Sequence, residues 1–238
     1  MEFLGLPGVG KSRATRLVAT RLAALGTPVR SDSLRVNHEL ADWRRVLFKS
    51  VVGAEAALGE PRQALRMGRM LMRSGQRRRV DTARLLYNWL FLAGLLRRAR
   101  TRPVVELFDE GIYQLLWSIG LNGREYVLRE CSPKLLEGAA AEGSLPDVVV
   151  VVEAPLEQVQ ARLKARGSRA GRVDRMGDSE RRAALVRGED LLVEVLSEDV
   201  GVSAGRSSPL VRRVRNASSE ELATDVEALV AELAALAA

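Results

Sequence analysis

The chain has 238 residues, 47% hydrophobic and 28% charged, with a mean hydropathy of −0.05; this balance excludes wholesale disorder and suits a soluble α/β domain carrying an insertion. A single cysteine, Cys131, and a single histidine, His38, exclude a disulfide scaffold and a Cys/His zinc site. The net charge is +7, but nearly all the cations are arginines spread along the chain. No helix-turn-helix, RNA-recognition or zinc-finger pattern accompanies them, so the charge predicts an anionic small substrate rather than a nucleic acid.

In chain order, Glu2–Leu4 is a short apolar strand that runs into a glycine-rich turn. Ser12–Leu25 follows as a helix, with Leu17, Val18, Leu22 and Leu25 at helical spacing and Gly26 and Pro28 closing it. Val29–Ser31 is a second short strand ending near Asp32. From Leu34 to Arg100 no strand signal interrupts. Helical patterns broken at Gly59–Pro61 predict an all-helical insertion of three or four helices over about 34–100. The most apolar run, Leu85 to Leu96, is too short to span a bilayer, which takes about 20 residues. His38, in this segment, reads as an ordinary surface or capping residue.

Pro103–Phe108 is a β-branched strand ending at Asp109. Gly111–Leu121 and Glu125–Ala141 are expected helices. Asp147–Val152 includes five consecutive valines, the pattern of a parallel strand buried on both faces. A helix from Ala154–Pro155 to about Ala165 leads into a Gly/Arg-rich stretch, an expected lid over about 166–178. A helix from Ser179 to about Leu196, a strand Leu210–Arg215 and an amphipathic helix Ser219–Leu236 complete the chain. This alternation predicts one α/β domain over 1–238: a three-layer α/β/α fold with a five-stranded parallel sheet, a helical insertion and an Arg-rich lid. The lone cysteine and the Gly/Pro-rich N-terminus, unlike a signal peptide, predict a cytoplasmic protein.

Gly5-Leu6-Pro7-Gly8-Val9-Gly10-Lys11-Ser12 matches G-x-x-x-x-G-K-[ST]. Glycines let successive backbone N–H groups point at phosphate oxygens, and the helix that follows adds its N-terminal dipole. The cofactor-binding set is therefore Gly5, Pro7, Gly8, Val9, Gly10, Lys11, Ser12 and Arg13. Lys11 offers a compact charge to the terminal phosphates and Ser12 an oxygen to Mg²⁺. One of only four lysines in an arginine-dominated chain stands here, where a planar guanidinium would not replace it.

On this motif and the order of elements around it, the chain resembles the nucleoside and nucleotide kinases among P-loop proteins, closest in layout to thymidylate and deoxynucleoside kinases. The resemblance implies an ATP- and Mg²⁺-dependent phosphotransferase acting on a small acceptor, anionic or hydroxyl-rich, with no membrane partner and with a homodimer as one arrangement. It implies roles for Asp32 as acceptor base or metal-positioning carboxylate, against a plain turn residue, and for Asp109 as the metal carboxylate, with Glu110 beside it. Arg166 and Arg172 are the leading lid arginines, and Asn216 lies at the expected adenine turn, or is a simple helix cap. Arg44, Glu110 and Gln114 are candidate acceptor contacts, and Trp43, Phe48, Tyr87, Trp89, Phe91, Tyr113 and Trp117 are candidate pocket walls. Similar kinases carry an Asp-Arg or Glu-Arg pair after the third strand. This chain has Asp109-Glu110-Gly111, which keeps a non-nucleotide acceptor such as an antibiotic or sugar-like metabolite nearly level with a nucleoside or nucleotide. A P-loop ATPase switch acting on a protein partner and a nucleic-acid-binding kinase are the remaining alternatives.

Overall fold

β1 (Glu2–Leu4), β4 (Val148–Glu153) and β5 (Leu210–Arg215) form a parallel sheet in the order β1-β4-β5. The computed structural model describes residues 1–76, 78–124, 127–141, 143–166, 171, 173–197 and 209–237. β4 is central, with Leu4 opposite Val151 on one side and Arg213 opposite Val151 on the other. All five of its valines are buried, so the uninterrupted apolar run reflects burial on both faces. α1 (Lys11–Ala24) packs against α10 (Ser219–Ala237), while α6 (Ile112–Asn122) packs against α9 (Asp178–Ser197) and α7 (Val127–Ala141). α8 (Leu156–Ala165) follows β4 directly and contacts α9.

The expected five-stranded sheet is not continuous. β2 (Val29–Arg30) and β3 (Val105–Glu106) pair only with each other, as a separate parallel two-stranded sheet. One bridge, Glu2 to Phe108, joins this pair to β1, through Phe3 N–H to Phe108 O at 2.8 Å and Phe108 N–H to Met1 O at 3.0 Å. The Met1 ammonium adds a bond to Glu106 O at 2.9 Å. On the opposite, β2 edge of this segment, Ser31 and Ser33 donate their hydroxyls to Leu107 O at 3.2 and 3.5 Å, and Asp109 N–H donates to Ser33 Oγ at 3.3 Å. Side-chain hydroxyls thus end the β2–β3 ladder at Leu107, and the chain turns toward the site.

The insertion contains α2 (Asp32–His38), α3 (Asp42–Gly59), α4 (Pro61–Arg73) and α5 (Arg79–Ala99). α2 begins at Asp32 itself, earlier than the insertion predicted from Leu34. α3 lies close on α5: a Cβ at Gly94 would stand 2.5 Å from Val52 Cγ1 and 2.6 Å from Val52 O, so glycine sets the helix crossing. No helix among the described residues is long and apolar enough to cross a membrane.

Candidate active site

The phosphate-type loop lies between β1 and α1, with Lys11 as the first residue of the helix. Gly10 has φ 102°, and a Cβ there would sit 2.1 Å from Asn216 Nδ2; only glycine meets both conditions. Three elements hold the loop. Asn216 Nδ2 donates to Val9 O at 2.7 Å. Arg162, on α8, donates to Val9 O at 3.2 Å and to Asn216 O at 2.7 Å. Gly5 N–H donates to Gln114 Oε1, on α6, at 3.2 Å. Asn216 is 2% exposed, so its side chain braces the loop from within. Arg13 instead reaches α10, donating to Ser219 Oγ at 2.8 Å.

Lys11 Nζ folds back onto the loop, donating to Gly5 O at 2.7 Å and Leu6 O at 3.2 Å. Burial lowers its pKa to about 8, against the pull of the nearby carboxylates of Glu110 and Asp109. A phosphate entering the loop would exchange these carbonyls for charged oxygens, a stronger pairing.

Asp109, 2% exposed, closes the strand side of the site. Its Oδ2 lies 3.2 Å from His38 Nε2, and the same nitrogen lies 2.9 Å from Ser12 Oγ. The last turn of α2 therefore wedges His38 between Ser12 and Asp109, in contrast to the surface or capping role expected from sequence. No motif surrounds His38; only the direction of α2 brings it here. Asp109 Oδ1 is buried with no hydrogen-bond partner among the described residues. Ser12 and Asp109 both line the cavity and share the His38 nitrogen, and both offer oxygen, the donor a hard cation takes, so they suit magnesium. No group of three or more His, Cys, Asp or Glu residues able to hold a metal occurs among the described residues, so phosphate oxygens would have to complete the shell.

These residues open onto a cavity of about 630 Å³. Lys11, Ser12, Arg166 and Arg175 line it together with the apolar Phe91, Leu95, Trp117 and Leu121 of α5 and α6. Glu110 also lines the cavity and is exposed to its solvent. Partial desolvation there and the neighbouring Asp109 raise its pKa, while Lys49, Lys11 and His38 pull it back. Lys49, also in the cavity wall, has its pKa lowered by burial, with Glu110 acting in the opposite direction. Its Nζ stands 4.9 Å from the Phe91 ring centroid. Trp117 is fixed by its indole N–H to Gly188 O at 2.8 Å.

Other expected site residues lie elsewhere. Asp32 is not part of the cavity wall. Its carboxylate accepts from Arg30 at 3.0 and 3.1 Å and from Arg102 at 3.1 Å, with Arg35 at 3.7 Å. Burial would raise its pKa, but the Arg30 and Arg102 guanidiniums outweigh that and hold it low. Asp32 thus ties β2 to the segment before β3. Arg44 is exposed outside the cavity, with its guanidinium 5.1 Å from the Trp43 ring centroid. Gln114 lines the cavity, with its Oε1 engaged by the loop. Arg166 ends α8 at the cavity and opposes the charge on Lys11. Arg172 lies outside the described residues. Of the aromatic candidates, Phe91 and Trp117 reach the cavity, Trp89 and Tyr113 are core, and Trp43 is 64% exposed.

No family model matches the chain, and no curated protein matches it in sequence. Solved structures do match. Deoxyadenosine kinase from M. mycoides with bound dCTP aligns over 99% of this chain and 100% of its own, with TM-score 0.52 and 11% identity. The deoxyadenosine kinase from M. mycoides with bound dATP aligns over 98% and 97%, with TM-score 0.51 and 13% identity. The chain shares the fold of these enzymes. That fold is the P-loop α/β fold expected from the motif and the order of elements.

Proposed function

We propose that the protein is a phosphotransferase that moves the γ-phosphoryl group of Mg-ATP to a hydroxyl of a small acceptor, a nucleoside or nucleotide. The observation that carries this reading is that one cavity is lined together by the phosphate-type loop, by apolar residues of α5 and α6 and by Glu110. A phosphoryl donor and an acceptor can meet there with a proton acceptor at hand. The shared fold with deoxyadenosine kinases supports the same reading.

In this mechanism the loop N–H groups and Lys11 bind the terminal phosphates. Ser12 and Asp109 would hold magnesium, which would neutralise phosphate charge. Glu110 orients the acceptor hydroxyl and takes its proton as the phosphoryl group transfers; its raised pKa gives it the proton affinity the task needs. Arg166, with Arg175 beside it in the cavity wall, offsets charge on the migrating group. Asn216, Arg162 and Gln114 keep the loop in place. Asp32, whose lone pairs already serve three guanidiniums, has a structural role here, and the base role expected of it passes to Glu110.

A second reading, transfer to a hydroxylated metabolite outside the nucleotides, is favoured by one feature. Glu110 occupies the position at which the similar kinases carry a substrate-contacting arginine, so a different acceptor chemistry faces this wall.

The test is ADP formation from Mg-ATP against nucleosides, nucleoside monophosphates, and antibiotic and sugar-like alcohols, with Lys11→Ala and Glu110→Gln run in parallel. Stimulation by one acceptor class, lost in both variants, supports transfer and chooses between the two readings. Hydrolysis indifferent to every acceptor would refute transfer and favour an ATPase switch.

A further inference from the structure

The cations are spread along the chain, but the net charge is not, because one segment is poor in acidic residues. Residues 34–100 hold 15 Lys and Arg against 5 Asp and Glu, a net of +10. The whole chain is only +7, so the remainder is slightly acidic. Within this segment, Arg62, Arg66, Arg69 and Arg73 recur along α4 at spacings of four, three and four residues. That spacing sets them in one stripe. All four are exposed, and none makes an ion pair with a described residue. None of the four lines the cavity beside the phosphate-type loop.

The stripe borders an apolar groove of about 560 Å³ between α4 and α5. Ala64 and Gly68 form its floor on α4, and Leu86 and Leu90 line it from α5. Leu65 and Met72 stand on the α4 side, 55% and 74% exposed, and Arg69 and Arg73 are part of the lining. The floor is low because Gly68 has no side chain: a Cβ there would meet only Leu86 Cδ1, at 4.0 Å.

We propose that this groove binds an acidic amphipathic helix of a partner protein. The partner's apolar stripe would lie over Gly68 and between Leu65, Met72, Leu86 and Leu90. Its carboxylates, repeating with the same helical period, would meet the arginine stripe. The form of the groove argues against the other anionic partners. Its apolar lining runs between two helices rather than along one amphipathic face, the arrangement that seats a third helix rather than a lipid surface. It has no aromatic lining on which nucleic-acid bases could stack. A second copy of this chain would bring another cationic insertion against the stripe. The acidic helix of the chain itself, α10, is already packed on α1, with Glu227, Asp225 and Glu232 paired to Arg21, Arg215 and Arg212. The proposal stands apart from the phosphotransfer reading.

The test uses the full chain and a fluorescein-labelled 18-residue helical peptide with leucines at i, i+3, i+4 spacing and glutamates flanking them. Two variants probe the two halves of the surface: the triple reversal Arg66→Glu, Arg69→Glu, Arg73→Glu, and Gly68→Leu, which fills the groove without touching the charges. Both lie outside the cavity, and unchanged circular dichroism shows that they fold. The expected result is saturable peptide binding by fluorescence anisotropy that weakens with salt and falls about tenfold or more in each variant. No binding by the unaltered chain would overturn the proposal. Loss in the charge reversal alone would overturn it in favour of a general polyanion surface, as would preferential binding of a single-stranded oligonucleotide or of phosphatidylserine vesicles. A dimer in sedimentation that Gly68→Leu converts to monomer would assign the groove to a second copy and overturn it equally.

Discussion

Glu2 couples the stability of the fold to the position of the site. It lies on β1, 1% exposed, and its Oε1 accepts from Gln114 N–H at 2.8 Å, at the start of the helix that follows Asp109 and Glu110. Burial raises its pKa from 4.5 to about 7, although the N–H groups of Gln114, Tyr113 and Ile112 favour the carboxylate. The folded protein therefore keeps a proton on Glu2 at pH values where the unfolded chain has released it. This contribution to stability is complete below pH 4.5 and disappears as the pH rises through about 7. A change from 4.5 to about 7 amounts to about 3 kcal/mol at 1.36 kcal/mol per tenfold change in proton affinity. Between pH 5 and 8 it predicts a loss of about 2.5 kcal/mol from this residue. Urea denaturation at half-unit intervals across that window measures the loss. Glu2→Gln keeps an oxygen for Gln114 N–H but cannot titrate, so its slope should be shallower by this amount, leaving the same-signed share of Glu110. Lys11, lowered to about 8, acts mainly above the window, and the buried Met1 ammonium beside Glu2, lowered from 8.0, acts within it; both oppose the Glu2 slope, so the comparison with Glu2→Gln isolates the residue. An unaltered slope in Glu2→Gln would refute the reasoning.

Glu110→Gln should lower kcat by about 10²- to 10⁴-fold, the usual contribution of a general base, with the binding of Mg-ATP retained in a calorimetric titration. Asp32→Asn should leave kcat within about threefold and reduce stability by about 1 kcal/mol, since partly exposed ion pairs contribute modestly; a collapse of kcat with intact stability would return the base role to Asp32. Gly10→Ala should abolish nucleotide binding while the folded circular dichroism spectrum persists, because a methyl group would collide with Asn216 in a left-handed backbone; nucleotide affinity within tenfold of the original would exclude the bracing role of Asn216. Gly94→Ala should destabilise the insertion by about 1–3 kcal/mol in thermal unfolding, the usual cost of overpacking; a raised Tm would show that α3 and α5 separate easily.

Most of the layout is legible in the amino-acid order. The loop Gly5–Ser12 declares itself because phosphate binding requires glycines, a lysine and a hydroxyl at fixed local spacing. The valines of β4 declare burial on both faces, and the apolar periodicities place the helices of the insertion to within a few residues. These features are local, and local chemistry is written in consecutive residues. What the sequence could not settle depends on directions in space. Asp32 and Glu110 both follow short strands and both have the right functional group; only the positions of Arg30 and Arg102 turn Asp32 into a clamp between strands and leave Glu110 to the cavity. His38 carries no motif and reaches Ser12 and Asp109 solely through the orientation of α2. The early end of the β2–β3 ladder is equally tertiary, because the hydroxyls of Ser31 and Ser33 meet Leu107 O only once residues far apart in the chain are brought together. The sequence by itself determined which residues form the phosphate-type loop and in what order the strands and helices occur. Tertiary structure alone decided which carboxylate faces the loop, because that choice depends on charge pairs and packing between segments far apart in the chain.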